Sequence, residues 1–333
     1  MNKRNMTFDI ARGVGIVLMI MNHSGFSTDI GIYNFVNSFY MPLFFFISGY
    51  FFKKDVPWKE YITNKAKRLL VPYVLWALFH LCVWLLMEKV GIELRMTKQQ
   101  AVIGILWNNN VYFPIAGALW FLTSLFFASV LCKFLIEKNL MWLSLIILLI
   151  GLYINPFLPF SLDTALIGQF FFIIGYNDNL LFKEKGYMEK AWLLCIAVIL
   201  CFALNVVISN INGPVNMREC SYGRFPMFFA ITGVLGSMAL LGVSALLNMC
   251  KERLIIKQID KGLAYIGKNS MCYLCLNQLI VTIIQHLFSI ESIWMNIFIC
   301  VIALILLSVG NYLVDLLHLK WVFGEFKQKK MIN

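Results

Sequence analysis

Apolar residues in this chain come in long, nearly unbroken runs. Residues 140–153, 191–208, 225–249 and 293–317 show neither the alternation of a half-buried strand nor the single stripe of an amphipathic helix. Several reach the ~20 residues needed to cross ~30 Å of hydrocarbon. Backbone groups at that depth find no water, so each run predicts a helix. Along the whole chain the pattern predicts ten spans, near 8–24, 34–52, 70–88, 115–132, 140–156, 164–176, 191–209, 226–248, 263–287 and 293–317. The sixth is short for a crossing.

Composition agrees. Of the 333 residues, 60% are hydrophobic and 14% charged, against about 45–50% and about 25% in a soluble domain. No internal repeat or linker interrupts the chain, so residues 1–333 read as one integral membrane domain. No cleavable leader is expected, because the first apolar helix begins at Phe8 and carries charges. The net charge of +11 would suggest nucleic acid in a soluble protein. Here it follows topology. With the N-terminus inside, twenty-one of the 28 Lys and Arg residues fall in inner segments, and five (Lys89, Arg95, Lys98, Arg218 and Arg224) in outer ones. That asymmetry predicts an all-α bundle of about ten transmembrane helices with both termini cytoplasmic, and a lipid bilayer rather than nucleic acid as its partner. Two inner segments, 56–67 and 180–190, are amphipathic enough to lie in the interface.

Nine cysteines form no disulfide framework. Eight lie in or against apolar runs, and Cys220 has no obvious mate. Cys272-x-x-Cys275 lacks a second pair and sits in an apolar helix, so no metal site is expected. No nucleotide-binding glycine loop is present.

The chemistry concentrates in residues 7–23, T-F-D-I-A-R-G-V-G-I-V-L-M-I-M-N-H. Asp9, Arg12 and His23 are costly in an otherwise apolar helix, and such groups usually face a bundle interior or a wet cavity. Arg12 and His23 are 11 residues apart. At about 100° per residue that is three turns plus ~20°, so they share a face and lie ~16 Å apart along the axis. Asp9 is placed to pair with Arg12. One reading is structural: an interfacial ion pair, and a histidine bonded to a neighbouring helix. The other is a face carrying an anion-binding Arg and a proton-transferring His in one shared cavity, open toward opposite sides. Spacing alone does not choose.

Several segments in order resemble the membrane acyltransferase-3 family. The first helix carries its Arg, ten residues, then His. Residues 39–51, F-Y-M-P-L-F-F-F-I-S-G-Y-F, are similar to its second-helix signature. Residues 65–73, K-A-K-R-L-L-V-P-Y, resemble its basic segment. Residues 118–126 (A-L-W-F-L-T-S-L-F), 169–176 (Q-F-F-F-I-I-G-Y) and 267–279 (G-K-N-S-M-C-Y-L-C-L-N-Q-L) resemble later segments. Two positions depart: Tyr40 and Asn277 stand where the family often has His. That leaves them hydrogen bonding to substrate rather than proton transfer.

The resemblance implies an O-acetyltransferase in a bacterial-type plasma membrane. An acetyl or similar group would pass from cytoplasmic acyl-CoA (acetyl-CoA) to a hydroxyl of a cell-surface or lipid-linked glycan. It implies His23 and Arg12 as catalytic residues, and Arg12, Lys65 and Arg68 (with Lys67 beside them) as donor-binding cations. Asp9, Tyr40, Trp120 and Asn277 would serve substrate binding. Asn22, Ser24, Tyr40 and Asn277 are candidate oxyanion donors. The Trp107–Asn110 amides and Arg218 are candidate sugar contacts. The competing reading is a small-molecule transporter or exporter of the same architecture, which would show flux without consuming acyl-CoA.

Overall fold

A computed structural model describes residues 5–25, 30–91, 96–154, 158–185, 191–249, 254–288 and 292–326. Among these, fourteen α-helices and no strand are found: α1 (Met6–His23), α2 (Ile30–Asn37), α3 (Tyr40–Tyr50), α4 (Trp58–Lys65), α5 (Val71–Lys89), α6 (Lys98–Leu106), α7 (Trp120–Glu137), α8 (Leu143–Leu152), α9 (Leu162–Lys185), α10 (Ala191–Asn212), α11 (Pro226–Met249), α12 (Leu254–Lys268), α13 (Ser270–Leu287) and α14 (Ile293–Leu316). Several expected basic residues (Lys3, Arg4, Arg95, Lys190, Lys251, Arg253, Lys327, Lys329 and Lys330) lie outside the described residues. So do the side chains of the 180–190 segment.

Among the described residues, seven helical stretches are long and apolar enough to cross a membrane, where ten were expected. The difference has local causes. Asp9, Arg12, Asn22 and His23 dilute the hydropathy of α1, although it runs 18 residues. The expected span 34–52 breaks between α2 and α3. There Ser38 turns its hydroxyl onto the Phe35 carbonyl (2.7 Å) and the Asn205 side chain (3.1 Å), and Pro42 lacks the N–H that an interior helical position needs. The span 140–156 yields only the ten residues of α8. The span 263–287 divides at Asn269 into α12 and α13 but costs no crossing, since α13 by itself is long and apolar enough. The sixth, expected to be short, is the 24-residue α9.

Small residues bring the site-bearing helices together. Gly13 of α1 meets the Leu263 carbonyl of α12, and Gly267 meets the Asp9 carbonyl; a Cβ at either position would collide with backbone. Gly49 of α3 and Gly175 of α9 make the same exchange with the carbonyls of Phe172 and Phe46. Van der Waals contact between close backbones is what holds helices together where no hydrophobic drive separates protein from lipid. The crossing with α12 also encloses the charged end of α1. Meanwhile α5, α10 and α14 expose Leu78, Leu86, Ile199, Leu200, Val207, Ile305 and Leu313, the surface an apolar solvent requires.

Candidate functional site

Asn5 caps α1, accepting the Thr7 N–H (3.1 Å), so the helix begins just before its charged pair. Asp9 sits in the first turn, where the helix dipole favours an anion. It is buried and accepts from the Arg12 guanidinium at 3.2 Å. Arg12 also lies 5.3 Å from the Phe51 ring centroid.

Arg12 opens into a cavity of about 850 Å³, within the range of ~300–1,000 Å³ typical of small-molecule sites. Lys53, Lys65, Lys67 and Arg68 line it as well, with Glu60 the one acid among the described lining residues. The expected donor-side cations are therefore brought together. A local irregularity presents them. Residues Ala66–Leu70 form a π-helical turn between α4 and α5. Pro72, one turn later, has no N–H for the Arg68 carbonyl, and its ring would crowd that carbonyl. The carbonyl instead faces Gly324, where a Cβ would collide with it. The segment 320–326 thereby borders the cavity: Phe326 lines it, Trp76 donates to the Val322 carbonyl (3.1 Å), and Phe323 stacks on Trp76 at 5.0 Å. Lys133 secures the opposite wall. Its buried ammonium pairs with Glu137 and donates to the carbonyls of Val56 (2.7 Å) and Lys54 (3.3 Å), between the rings of Trp58 and Tyr61. Within the first amphipathic segment, α4 buries Tyr61 and exposes its neighbours.

His23, at the other end of α1, lines a second, smaller cavity of about 90 Å³ with Tyr40, Trp120 and Arg218. Amides fill much of the rest: Asn22, Asn37, Asn216 and Gln278. No carboxylate is among the described lining residues. Asn22 and Asn37 exchange hydrogen bonds at 3.3 Å. Gln278 accepts from the Ala118 N–H (2.9 Å), and Gln285 donates to the His23 carbonyl (3.2 Å), tying α13 to this end. Among the described residues, Arg12 and His23 thus line two separate cavities, not the shared one of the catalytic reading. One stripe of α1 serves two sites at its ends, because a core of packed aromatics fills the middle of the bundle.

Arg218 reaches the His23 cavity from the loop after α10. Its Nε donates to the Asn110 carbonyl (2.9 Å) and Nη2 to the Val111 carbonyl (3.3 Å), while Gly117 leaves room for Nη1. Burial lowers its pKa from the ordinary value, and Glu219 opposes this. Two of the three asparagines expected to contact sugar do something else. Asn109 donates to Thr123 (2.8 Å) and accepts from Ser161 (2.6 Å); Asn110 donates to buried Asp163 (3.1 Å). Both are fully buried, so the loop is a scaffold that aims Arg218. In the same loop as Arg218, burial pushes the Cys220 thiol up to about 12, so it stays protonated and unreactive.

Asn277 lines neither of these two cavities. It is buried and donates to the carbonyls of Tyr273 (2.9 Å) and Leu274 (2.8 Å) of its own helix. Gln278, about 100° further round α13, faces the cavity instead. Ser24 is likewise spent on its helix, donating to the Ile20 carbonyl at 2.8 Å. Sequence reasoning passed over Gln278, Asn37 and Asn216. Nothing local marks them, since each is one polar residue among many near a span end.

Comparison with known proteins adds an independent line. The family described as "Acyltransferase domain" matches residues 7–312. Over 224 residues the chain is 25% identical to the nodulation protein NolL of Mesorhizobium japonicum, a stretch covering 60% of this chain and 56% of NolL. The chain thus spans little more than half the length of that curated relative. No solved structure matches it.

Proposed function

This chain belongs to the acyltransferase-3 family, and from that premise we propose that it moves an acetyl or similarly short acyl group from cytoplasmic acyl-CoA to a hydroxyl of a cell-surface or lipid-linked glycan. That it is a multi-pass membrane acyltransferase follows from the family and its apolar helices; donor, acceptor and residue roles are the proposal. One observation carries it. A single helix presents Arg12 to a large cationic cavity at one end and His23 to a small cavity rich in amides and aromatics at the other.

The donor is a polyanion, and five cations surround the larger cavity. Arg12, planar and forked, suits phosphate or carbonyl recognition, and Asp9 orients it. Lys65, Lys67 and Arg68 hold further phosphate charge. At the far end His23 is the general base. It takes the proton of the acceptor hydroxyl as the oxygen attacks the thioester carbonyl. The C–O bond forms, the C–S bond breaks, and the proton passes to the departing thiolate. Transfer through an acyl-His23 intermediate uses the same groups in two steps. Arg218 presents its guanidinium to the oxygens of the acceptor. Asn22, Asn37, Gln278, Tyr40 and Trp120 offer the amide and aromatic surface that hydroxyl-rich acceptors need. The side rich in Lys and Arg, and with it the Arg12 cavity, faces the cytoplasm of a bacterial-type plasma membrane.

The test delivers labelled acetyl-CoA to membrane vesicles containing wild type, His23→Ala or Arg12→Ala. Wild type is expected to label a glycan or lipid-linked sugar. His23→Ala falls to background, and Arg12→Ala raises the KM for donor. Near-normal transfer by His23→Ala overturns the catalytic assignment. Absence of glycan label with wild type overturns the choice of acceptor.

A further inference from the structure

Three helices, α1, α3 and α7, contribute to both cavities, and the residues between them on each helix are few. On α7, Trp120 faces the His23 cavity and Leu125 the Arg12 cavity; five residues give about 7.5 Å of rise. On α3 the pair is Met41 and Ser48, and on α1 it is Met19 and Arg12; each interval of seven residues is about 10 Å. Between those positions side chains of α3 and α7 meet. Phe44 and Phe121 are buried, with ring centroids 5.8 Å apart at a steep angle. Phe45 lies 5.2 Å from Phe121 on the other side and is wedged against Gly168 of α9. Phe44 instead meets α1 at Gly15, where a Cβ would stand 3.1 Å from the ring. Phe44 and Phe121 line neither cavity and lie between them on α3 and α7, and Phe44 is the member facing a helix turn with no side chain.

We propose that Phe44 and Phe121 form a partition that the acyl end of the donor displaces to reach His23, and that this pair sets the length of acyl group transferred. The inference rests on the reading of acyl-CoA in the Arg12 cavity. A thioester entering from that side places its carbonyl at His23 with the partition rings alongside. The His23 cavity, at about 90 Å³, has little room for more than a short acyl chain. A longer chain must lie back against Phe44 and Phe121, where the rings already fill the space. Phe44→Ala opens that space, and Phe44→Leu opens part of it. Gly15→Ala presses the ring inward and has the opposite effect. The bonds made and broken are those of the same ester-forming step.

The experiment measures kcat/KM for acetyl-, butanoyl- and hexanoyl-CoA with full-length protein in lipid vesicles. Phe44→Ala is expected to raise the hexanoyl-to-acetyl ratio at least about tenfold over wild type, since each methylene accommodated in an apolar pocket is worth ~10–200-fold. Phe44→Leu should fall between. Gly15→Ala should lower the butanoyl-to-acetyl ratio, and with Phe44→Leu it carries the test if Phe44→Ala does not fold. Ratios unchanged in active Phe44→Leu and Gly15→Ala enzymes overturn the partition while leaving the acyl-CoA reading intact. A wild type that accepts no acyl-CoA removes the reading itself, and the partition falls with it.

Discussion

Arg12 and Asp9 show how a membrane helix carries charge. The carboxylate at the start of α1 sits near the positive end of the helix dipole, and it holds the guanidinium at 3.2 Å. Neither group faces lipid: α12 packs over Asp9 through Gly267, and Arg12 faces a cavity. Arg218 is the more informative residue. Two of its nitrogens are spent on the carbonyls of Asn110 and Val111. A lysine ammonium cannot satisfy both carbonyls in fixed geometry and still present charge to the cavity. Arg218→Lys is therefore expected to raise the KM for acceptor roughly tenfold, because hydrogen bonds to charged groups contribute ~1.5–3 kcal/mol and tenfold is about 1.4. The KM for donor should stay put in steady-state assays that vary each substrate in turn. A rise for donor alone would take Arg218 off the acceptor side. From sequence, Arg218 was one arginine among several in outer segments. Its position depends on a loop more than 100 residues earlier.

At the scale of elements, the breaks between helices are where the site is made. The π-helical turn before Pro72 presents Lys67 and Arg68, and the division at Ser38–Phe39 lets α3 start with Tyr40 in the His23 cavity. Both breaks had local signals in Pro72 and Pro42, as did the Gly267–Asn269 stretch that separates α12 from α13. Hydropathy runs across all three, because Phe, Leu and Ile are equally dense on either side. The turn between α3 and α4 depends on Lys133. Lys133→Met removes the donor to the Lys54 and Val56 carbonyls while keeping the bulk of the stem. It is expected to raise the KM for donor about tenfold, on the same ~1.5–3 kcal/mol scale for charged hydrogen bonds. The KM for acceptor should not change, since the wall that moves belongs to the Arg12 cavity. Equal effects on both substrates would show that the lysine holds the bundle as a whole.

For the whole molecule, polarity from end to end is what matters. The start of α1 and the segment through Phe326 lie at the same end of the bundle, around the cationic cavity, and the loop carrying Arg218 lies at the other. The distribution of Lys and Arg then predicts sidedness. A green fluorescent protein fused at the C-terminus should fluoresce, and an alkaline phosphatase fused there should be inactive. The reverse pattern would turn the cationic cavity outward and separate it from cytoplasmic acyl-CoA.

The amino-acid order alone determined that this is an all-helical membrane bundle and that α1 carries its charges on one stripe; the link between the basic run 65–68 and Arg12 came from the family resemblance. The first two are local properties: apolar run length and helical angle can be read without knowing what packs where. Only the tertiary structure decided that Arg12 and His23 face two cavities, that Gln278 and not Asn277 faces the second, and that Arg218 completes it. Those outcomes depend on helix rotation and on contacts between residues far apart in the chain. In an apolar solvent every face of a helix is greasy, so the pattern itself gives no inside.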